Sequence, residues 1–159
     1  MKNVALITGT SSGLGREFAI IHAQRWWDLV LVARRQDKLE ELRDEITQTL
    51  DTKIMIIVKD LTAPNAASEI KAELDKLRIK PGYLINNAGF GWIGRFWERP
   101  WKDESSMIAL NVTVLAELCH IFLSEMKARG SWRILNVSST ASLLPWPNQA
   151  VYYATKAFV

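Results

Sequence analysis

Short apolar runs alternate along this chain with longer stretches in which apolar residues recur every three or four positions. Val4-Ala5-Leu6-Ile7 is the first run, and it ends in Thr8-Gly9. From Gly13 to about Trp26 the period is helical, carried by Leu14, Phe18 and Ile21, with Ala19 and Ala23 four apart. A second apolar run covers 29–33, and a helical stretch over 36–50 sets Leu39, Leu42 and Ile46 on one face. The run 54–58 is rich in β-branched residues, and 64–77 reads as helix with Asn65 in its first turn. Tyr83-Leu84-Ile85 makes a fourth strand, followed by a loop rich in Gly and Trp. A long helix from about Glu104 to Arg129, closed by Gly130, leads to a fifth strand over 133–137.

Strands that are apolar throughout, rather than alternating, are buried on both faces, as in a parallel sheet. Alternation with helices makes each pair of strands a right-handed βαβ unit. No repeat, low-complexity segment or linker interrupts the pattern, so residues 1–159 read as a single α/β domain with a doubly wound parallel sheet of about five strands. Ligands of such sheets bind beyond the carboxyl ends of the strands, where strand order reverses. Functional residues are therefore expected just after each strand.

Composition narrows the classes. A chain of 159 residues, 48% of them hydrophobic, is long enough to bury roughly 70% of its unfolded surface. The single cysteine, Cys119, excludes an internal disulfide scaffold. Apolar runs such as 29–33 and 54–58 fall far short of the ~20 residues that span a bilayer. The N-terminus, Lys2 and then a strand-like run, lacks the pattern of a signal peptide. These features lead to the expectation of a cytoplasmic protein without a membrane partner. A net charge of +3, with bases interleaved among acids as in Arg43-Asp44-Glu45, argues against nucleic acid as a partner.

The first strand opens through Thr8-Gly9-Thr10-Ser11-Ser12-Gly13-Leu14-Gly15 directly into a helix. Glycines there permit a tight turn and close approach of backbone to phosphate, and the helix N-terminus presents unpaired N–H groups to it. The absence of Gly-Lys-Ser/Thr argues against a nucleoside-triphosphate loop.

The spacing Thr-Gly-x-x-x-Gly-x-Gly resembles that of the short-chain dehydrogenase/reductase family. Asp60-Leu61 after the third strand, Asn86-Asn87-Ala88-Gly89 after the fourth, Asn111 on the long helix, Ser138-Ser139 after the fifth strand and Tyr152-x-x-x-Lys156 follow in the family's order. The resemblance implies a Rossmann-type fold and a nicotinamide cofactor held by Gly9, Ser11, Ser12, Gly13, Leu14, Gly15, Arg34, Arg35, Asp60, Leu61, Asn87, Ala88 and Gly89, with Tyr152 and Lys156 at the reacting end. It implies a catalytic set of Asn111, Ser139, Tyr152 and Lys156 acting on a small carbonyl/alcohol substrate. Tyr152 would exchange the proton with the substrate oxygen, Ser139 would hydrogen-bond that oxygen, Lys156 would hold the nicotinamide ribose, and Asn111 would position a water linking Lys156 to solvent.

Chemistry agrees with this assignment. A free tyrosine titrates near ~10, and an ammonium ~4 Å away at an effective dielectric of about 20 favours the phenolate by roughly 4 kcal/mol. Tyr152 and Lys156 share a helix face at four-residue spacing, and Tyr153, three from Lys156, is a second geometric candidate. A lone Tyr-x-x-x-Lys is more often an ordinary helix start; the family's spacing from Ser139 selects Tyr152. At the end of the second strand, an acid would bind a ribose 2′-hydroxyl and repel a 2′-phosphate. Ala33 stands in its place, followed by Arg34 and Arg35, so NADP(H) is favoured over NAD(H). The alternative is a pair of arginines at a helix entrance with no specific partner.

Two features depart from the family. The chain stops at Val159, where relatives continue with the rest of this helix, two more strands and a substrate lid, so it resembles the N-terminal part of a larger reductase. A truncated, non-catalytic dinucleotide-binding domain is one alternative. An assembly element is another, in which Leu115, Leu118, Phe122 and Met126 form an apolar stripe for a second copy in a homo-oligomer. Tryptophans at 26, 27, 92, 132 and 146 occupy places where relatives carry small residues, and a turn that needs positive φ would be strained by them.

Overall fold

In the computed structural model, residues 3–130, 133–144 and 146–159 are described, so Lys2 and Trp132 lie outside the described residues. Five strands, β1 (Val4–Thr8), β2 (Asp28–Ala33), β3 (Ile54–Val58), β4 (Tyr83–Asn86) and β5 (Arg133–Asn136), form one sheet in the order β3-β2-β1-β4-β5. Every pairing is parallel. The chain winds outward from β1 to β3, then returns to build β4 and β5 on the other side, so strand order reverses between β1 and β4. This is the doubly wound sheet expected from the pattern, and the Rossmann-type fold that the resemblance implies.

Period-two alternation assigns the two faces. Ala5, Ile7, Leu29 and Leu31 pack with Ala19 of helix α1 (Gly13–Gln24) and Leu39 and Leu42 of α2 (Gln36–Thr49). Leu6, Val30 and Val32 pack on the opposite face with Ile70 of α3 (Ala66–Lys76) and with Leu118, Phe122 and Met126 of α5 (Val114–Ala128). Both faces of β1 are therefore covered, and all five of its residues are buried. At the far side β5 forms an edge, with Arg133 and Asn136 exposed.

The long helix differs from its sequence outline. It begins at Trp101 with α4 (Trp101–Ile108), passes through a π turn at Ala109–Thr113 and continues as α5. Leu115, Leu118, Phe122 and Met126 are buried within the chain, so this stripe is core and does not face a second copy. The continuous helix Trp101–Ala128 is long and apolar enough to cross a membrane by length and composition, which the count of five-residue runs misses because single polar residues interrupt it. Its buried side packs on the sheet.

Trp26, Asn65, Arg78 and Asn148 take left-handed backbone, and the first two bear on the sequence outline. Helix α3 starts at Ala66, two residues later than the pattern suggests, because Asn65 takes a left-handed φ of 63°. Trp26, at the turn into β2, has φ 62° with its ring largely exposed, the strain foreseen for a large residue at this turn. The last element, α6 (Ala150–Phe158), carries Tyr152 and Lys156.

Candidate active site

The carboxyl ends of β1 and β4 are stitched together at the switch point. Thr8 Oγ1 accepts from the amides of Asn87 (3.1 Å) and Ala88 (3.0 Å), while Asn87 Nδ2 donates to the carbonyls of Thr8 (3.0 Å) and Gly9 (3.2 Å). The glycine loop closes over this junction. Gly9 has φ 72°, and a Cβ on it would lie 2.8 Å from Ala88 Cα. A Cβ on Gly15 would overlap the Gly9 carbonyl oxygen and Asn87 Nδ2. Gly9 and Gly15 thus let the first turn of α1 sit against the ends of two strands, which is the backbone cradle that a pyrophosphate requires.

A cleft of about 450 Å³ opens beside the cradle. Of the residues assigned to cofactor binding from sequence, Gly9, Ser11, Ser12, Leu14, Arg34, Arg35, Asp60, Leu61, Asn87, Ala88 and Gly89 line it. Gly13, Gly15, Tyr152 and Lys156 do not. Gly13 is exposed and supplies a left-handed φ of 59° to the loop, while Gly15 is buried against Gly9. Sequence reasoning missed Lys59, Thr62, Phe90, Leu110 and Val137, which also line the cleft. Their position directly beside the motif residues after β3, β4 and β5 is the signal that would have found most of them.

Beside the end of β2, Arg35 Nη2 donates to the Ser11 carbonyl (3.0 Å) and hydroxyl (3.1 Å). The Asp60 carboxylate accepts from the Thr62 amide (2.9 Å) and hydroxyl (2.8 Å). These hydrogen bonds, helped by the Arg34 charge, hold its carboxyl below the usual carboxylate range.

Of the four residues named as catalytic from sequence, Asn111 and Lys156 meet beside Gly89 at the cleft wall, while Ser139 and Tyr152 make other contacts. Asn111 is buried in the π turn, where it accepts from the Phe90 amide (3.2 Å) and donates to the Phe90 carbonyl (2.9 Å) and Thr155 Oγ1 (3.0 Å). It therefore ties the loop after β4 to α6. Lys156 Nζ donates to the carbonyl of Val137 (3.0 Å), just past β5, and Ser138 Oγ donates to the Lys156 carbonyl (2.8 Å). A Cβ on Gly89 would lie 3.0 Å from Asn111 Oδ1 and 3.3 Å from Lys156 Nζ, so a side chain there would press on both groups at the cleft wall. Burial pushes the Lys156 ammonium below the ordinary lysine value.

Tyr152 packs its ring against Gly91, where a Cβ would come within 2.5 Å of Cδ2. Ser139 caps a short 3₁₀ turn, its hydroxyl accepting from the Ala141 amide at 3.2 Å. Among the described residues no hydrogen bond joins the Ser139 and Tyr152 hydroxyls. Beyond Tyr152, Trp92 and Phe96 line a small recess with it, and Gln149 Nε2 donates to the Trp92 carbonyl (3.3 Å). Arg99 lies over the Trp92 ring at 5.2 Å and pairs with the buried Glu104 at 2.6 Å, fastening this loop to α4. Among the described residues no cluster of three or more His, Cys, Asp or Glu suits a metal ion.

Comparison with known proteins places this geometry. The family model described as short chain dehydrogenase matches residues 3–159. Human 17-beta-hydroxysteroid dehydrogenase type 3 is 34% identical over 157 residues, which are 98% of this chain and 50% of that protein. Two solved structures superpose closely. The bulky-bulky ketone specific alcohol dehydrogenase from Comamonas testosteroni has a TM-score of 0.92 and 32% identity, over 99% of this chain and 63% of that one. A short-chain dehydrogenase from Sphingobium yanoikuyae in complex with NADPH has a TM-score of 0.91 and 34% identity, over 99% and 61%. The chain spans about half the length of the curated relatives it matches.

Proposed function

Because the chain belongs to the short-chain dehydrogenase family, we propose that it forms the cofactor-binding and proton-transferring part of an oxidoreductase that moves hydride between NADP(H) and a carbonyl/alcohol pair. The observation that carries this reading is the convergence of Asn111, Lys156 and Gly89 at the inner end of a glycine-cradled cleft, with Tyr152 on the same helix as Lys156. The glycine cradle, the cleft volume and the Arg34–Arg35 end fit a dinucleotide. Bound there, its nicotinamide supplies or accepts the hydride.

The chain's own residues supply the rest. Tyr152 gives its hydroxyl proton to the substrate's carbonyl oxygen in the reducing direction and takes it back in the oxidising one. Ser139 donates to the same oxygen and holds it in place. Lys156 sets a positive charge one turn along from Tyr152, which favours the tyrosinate that remains after proton transfer. Asn111, locked by three hydrogen bonds, keeps the α6 end and the loop after β4 in register.

The preference for NADP(H) is supported by Ala33 in place of an acid, by two arginines in the cleft and by the NADPH held by a close structural neighbour. The substrate is a large apolar carbonyl compound. Trp92 and Phe96 beside Tyr152, with relatives named for hydroxysteroids and bulky ketones, support that class.

Parallel titrations of NADPH and NADH, followed by tryptophan emission and thermal midpoint, test this reading. NADPH is expected to bind tighter, and Arg34→Glu to abolish the difference. Tyr152→Phe is expected to leave binding intact and remove reduction of a bulky ketone. Binding without turnover in the unaltered chain would instead describe a dinucleotide-binding module, and failure to bind either cofactor would overturn the proposal.

A further inference from the structure

We propose that Lys59 is a third phosphate-binding cation at the adenosine end of the cleft, held aside by Glu69 until a 2′-phosphate arrives. This inference rests on the NADP(H) reading of the cleft.

Register puts Lys59 beside Arg34. Ala33 of β2 pairs with Val58 of β3, and the Lys59 amide donates to the Ala33 carbonyl at 2.9 Å. Arg34 and Lys59 are thus the next residues past two adjacent strand ends, on strands about 4.8 Å apart. Alternation puts them on one face. Val30 and Val32 of β2 and Ile57 of β3 all point to the α3–α5 layer, and a period of two carries Arg34 and Lys59 to the same side. The ion pair of Lys59 Nζ with Glu69 on α3, at 2.7 Å, confirms that side for the lysine. Arg35 points the other way, to Ser11 in the glycine loop. Three cations therefore line one end of the cleft, approaching it from different directions.

Among the described residues Asp60 is the one acid that lines the cleft, and Thr62 occupies it with two hydrogen bonds. The Glu69 carboxylate that holds Lys59 is 55% exposed, and a pair of that kind is weak and screened by solvent. A phosphate monoester carries about −1.5 to −2 at neutral pH and three acceptor oxygens, so it competes well for an ammonium on a flexible four-carbon stem. Glu69 sets how much of that attraction is spent on breaking the existing pair.

Calorimetric titration with adenosine 2′,5′-bisphosphate and with adenosine 5′-phosphate separates the 2′-phosphate from the rest of the nucleotide. Lys59→Gln is expected to weaken the bisphosphate about three- to tenfold and leave the monophosphate unchanged. Lys59→Arg is expected to restore affinity, and Glu69→Gln to raise it about two- to threefold. Thermal midpoints of the four proteins check that each is folded. Equal weakening of both nucleotides by Lys59→Gln, or no change in either, would overturn the role of Lys59 while leaving the cleft reading intact. If the unaltered protein binds neither nucleotide nor NADPH, the cleft reading itself fails and takes Lys59 with it.

Discussion

Replacing Gly15 by alanine sets two physical effects against each other. Gly15 lies inside α1, where alanine is intrinsically favoured over glycine by about 1 kcal/mol. Its added Cβ, however, would overlap the Gly9 carbonyl oxygen and Asn87 Nδ2. The first of these is backbone and cannot swing aside, and the second is pinned by its bonds to Thr8 and Gly9. Overpacking of this kind costs about 1–3 kcal/mol, and a clash with backbone belongs at the top of that range. The net expectation is destabilisation by about 2 kcal/mol, a fall in thermal midpoint of roughly 4–8 °C for a chain of this size. Because the clash pushes the first turn of α1 away from the strand ends, NADPH affinity should fall further than stability does. Circular dichroism melts and NADPH titration of Gly15→Ala, with Gly130→Ala as a positive-φ control whose Cβ meets nothing within 4 Å, measure both. A Gly15→Ala protein that melts higher than the parent and binds NADPH equally well would refute the reasoning.

Three further outcomes are expected. Trp26→Gly removes a strained left-handed residue whose ring is 79% exposed, so it should stabilise by about 1 kcal/mol, seen as a rise of about 2–4 °C in midpoint; an unchanged or lower midpoint would count against strain at this turn. His22 is buried with Nδ1 at 2.8 Å from the Phe18 carbonyl, and burial, with a smaller effect of Arg25, holds its pKa below the ordinary 6.5. The unfolded chain therefore binds the proton more readily, and stability should fall as pH drops through 6.5 towards the folded value, a slope that His22→Gln should flatten in urea melts at several pH values. Lys156 is also depressed by burial, so the parent's stability should rise as pH climbs from the folded value towards 10.5; Lys156→Met should lose that rise and match or exceed the parent's midpoint at neutral pH, while binding NADPH more weakly.

Local pattern was sufficient for much of this protein. The alternation of apolar runs with helical periods set the five strands and the helices between them, because burial on both faces leaves no polar alternation in a strand. The glycine loop, Asn87-Ala88-Gly89 and Asp60 were legible because each follows a strand end, and the sheet gathers those ends at one edge; Tyr152 and Lys156, on α6 and outside the cleft lining, were named through the resemblance alone. Short windows, however, carry no information about which strands are neighbours or which helix face is covered. Leu115, Leu118, Phe122 and Met126 look the same whether they meet a second copy or the chain's own sheet; only the packed structure shows that they are core. The π turn that aims Asn111 inward, the contact that forbids a side chain on Gly15, and the strand register that sets Lys59 beside Arg34 were likewise decided in three dimensions. Each depends on pairing between segments distant in sequence, whose register is fixed by burying two sheet faces at once, and no local preference along the chain encodes that.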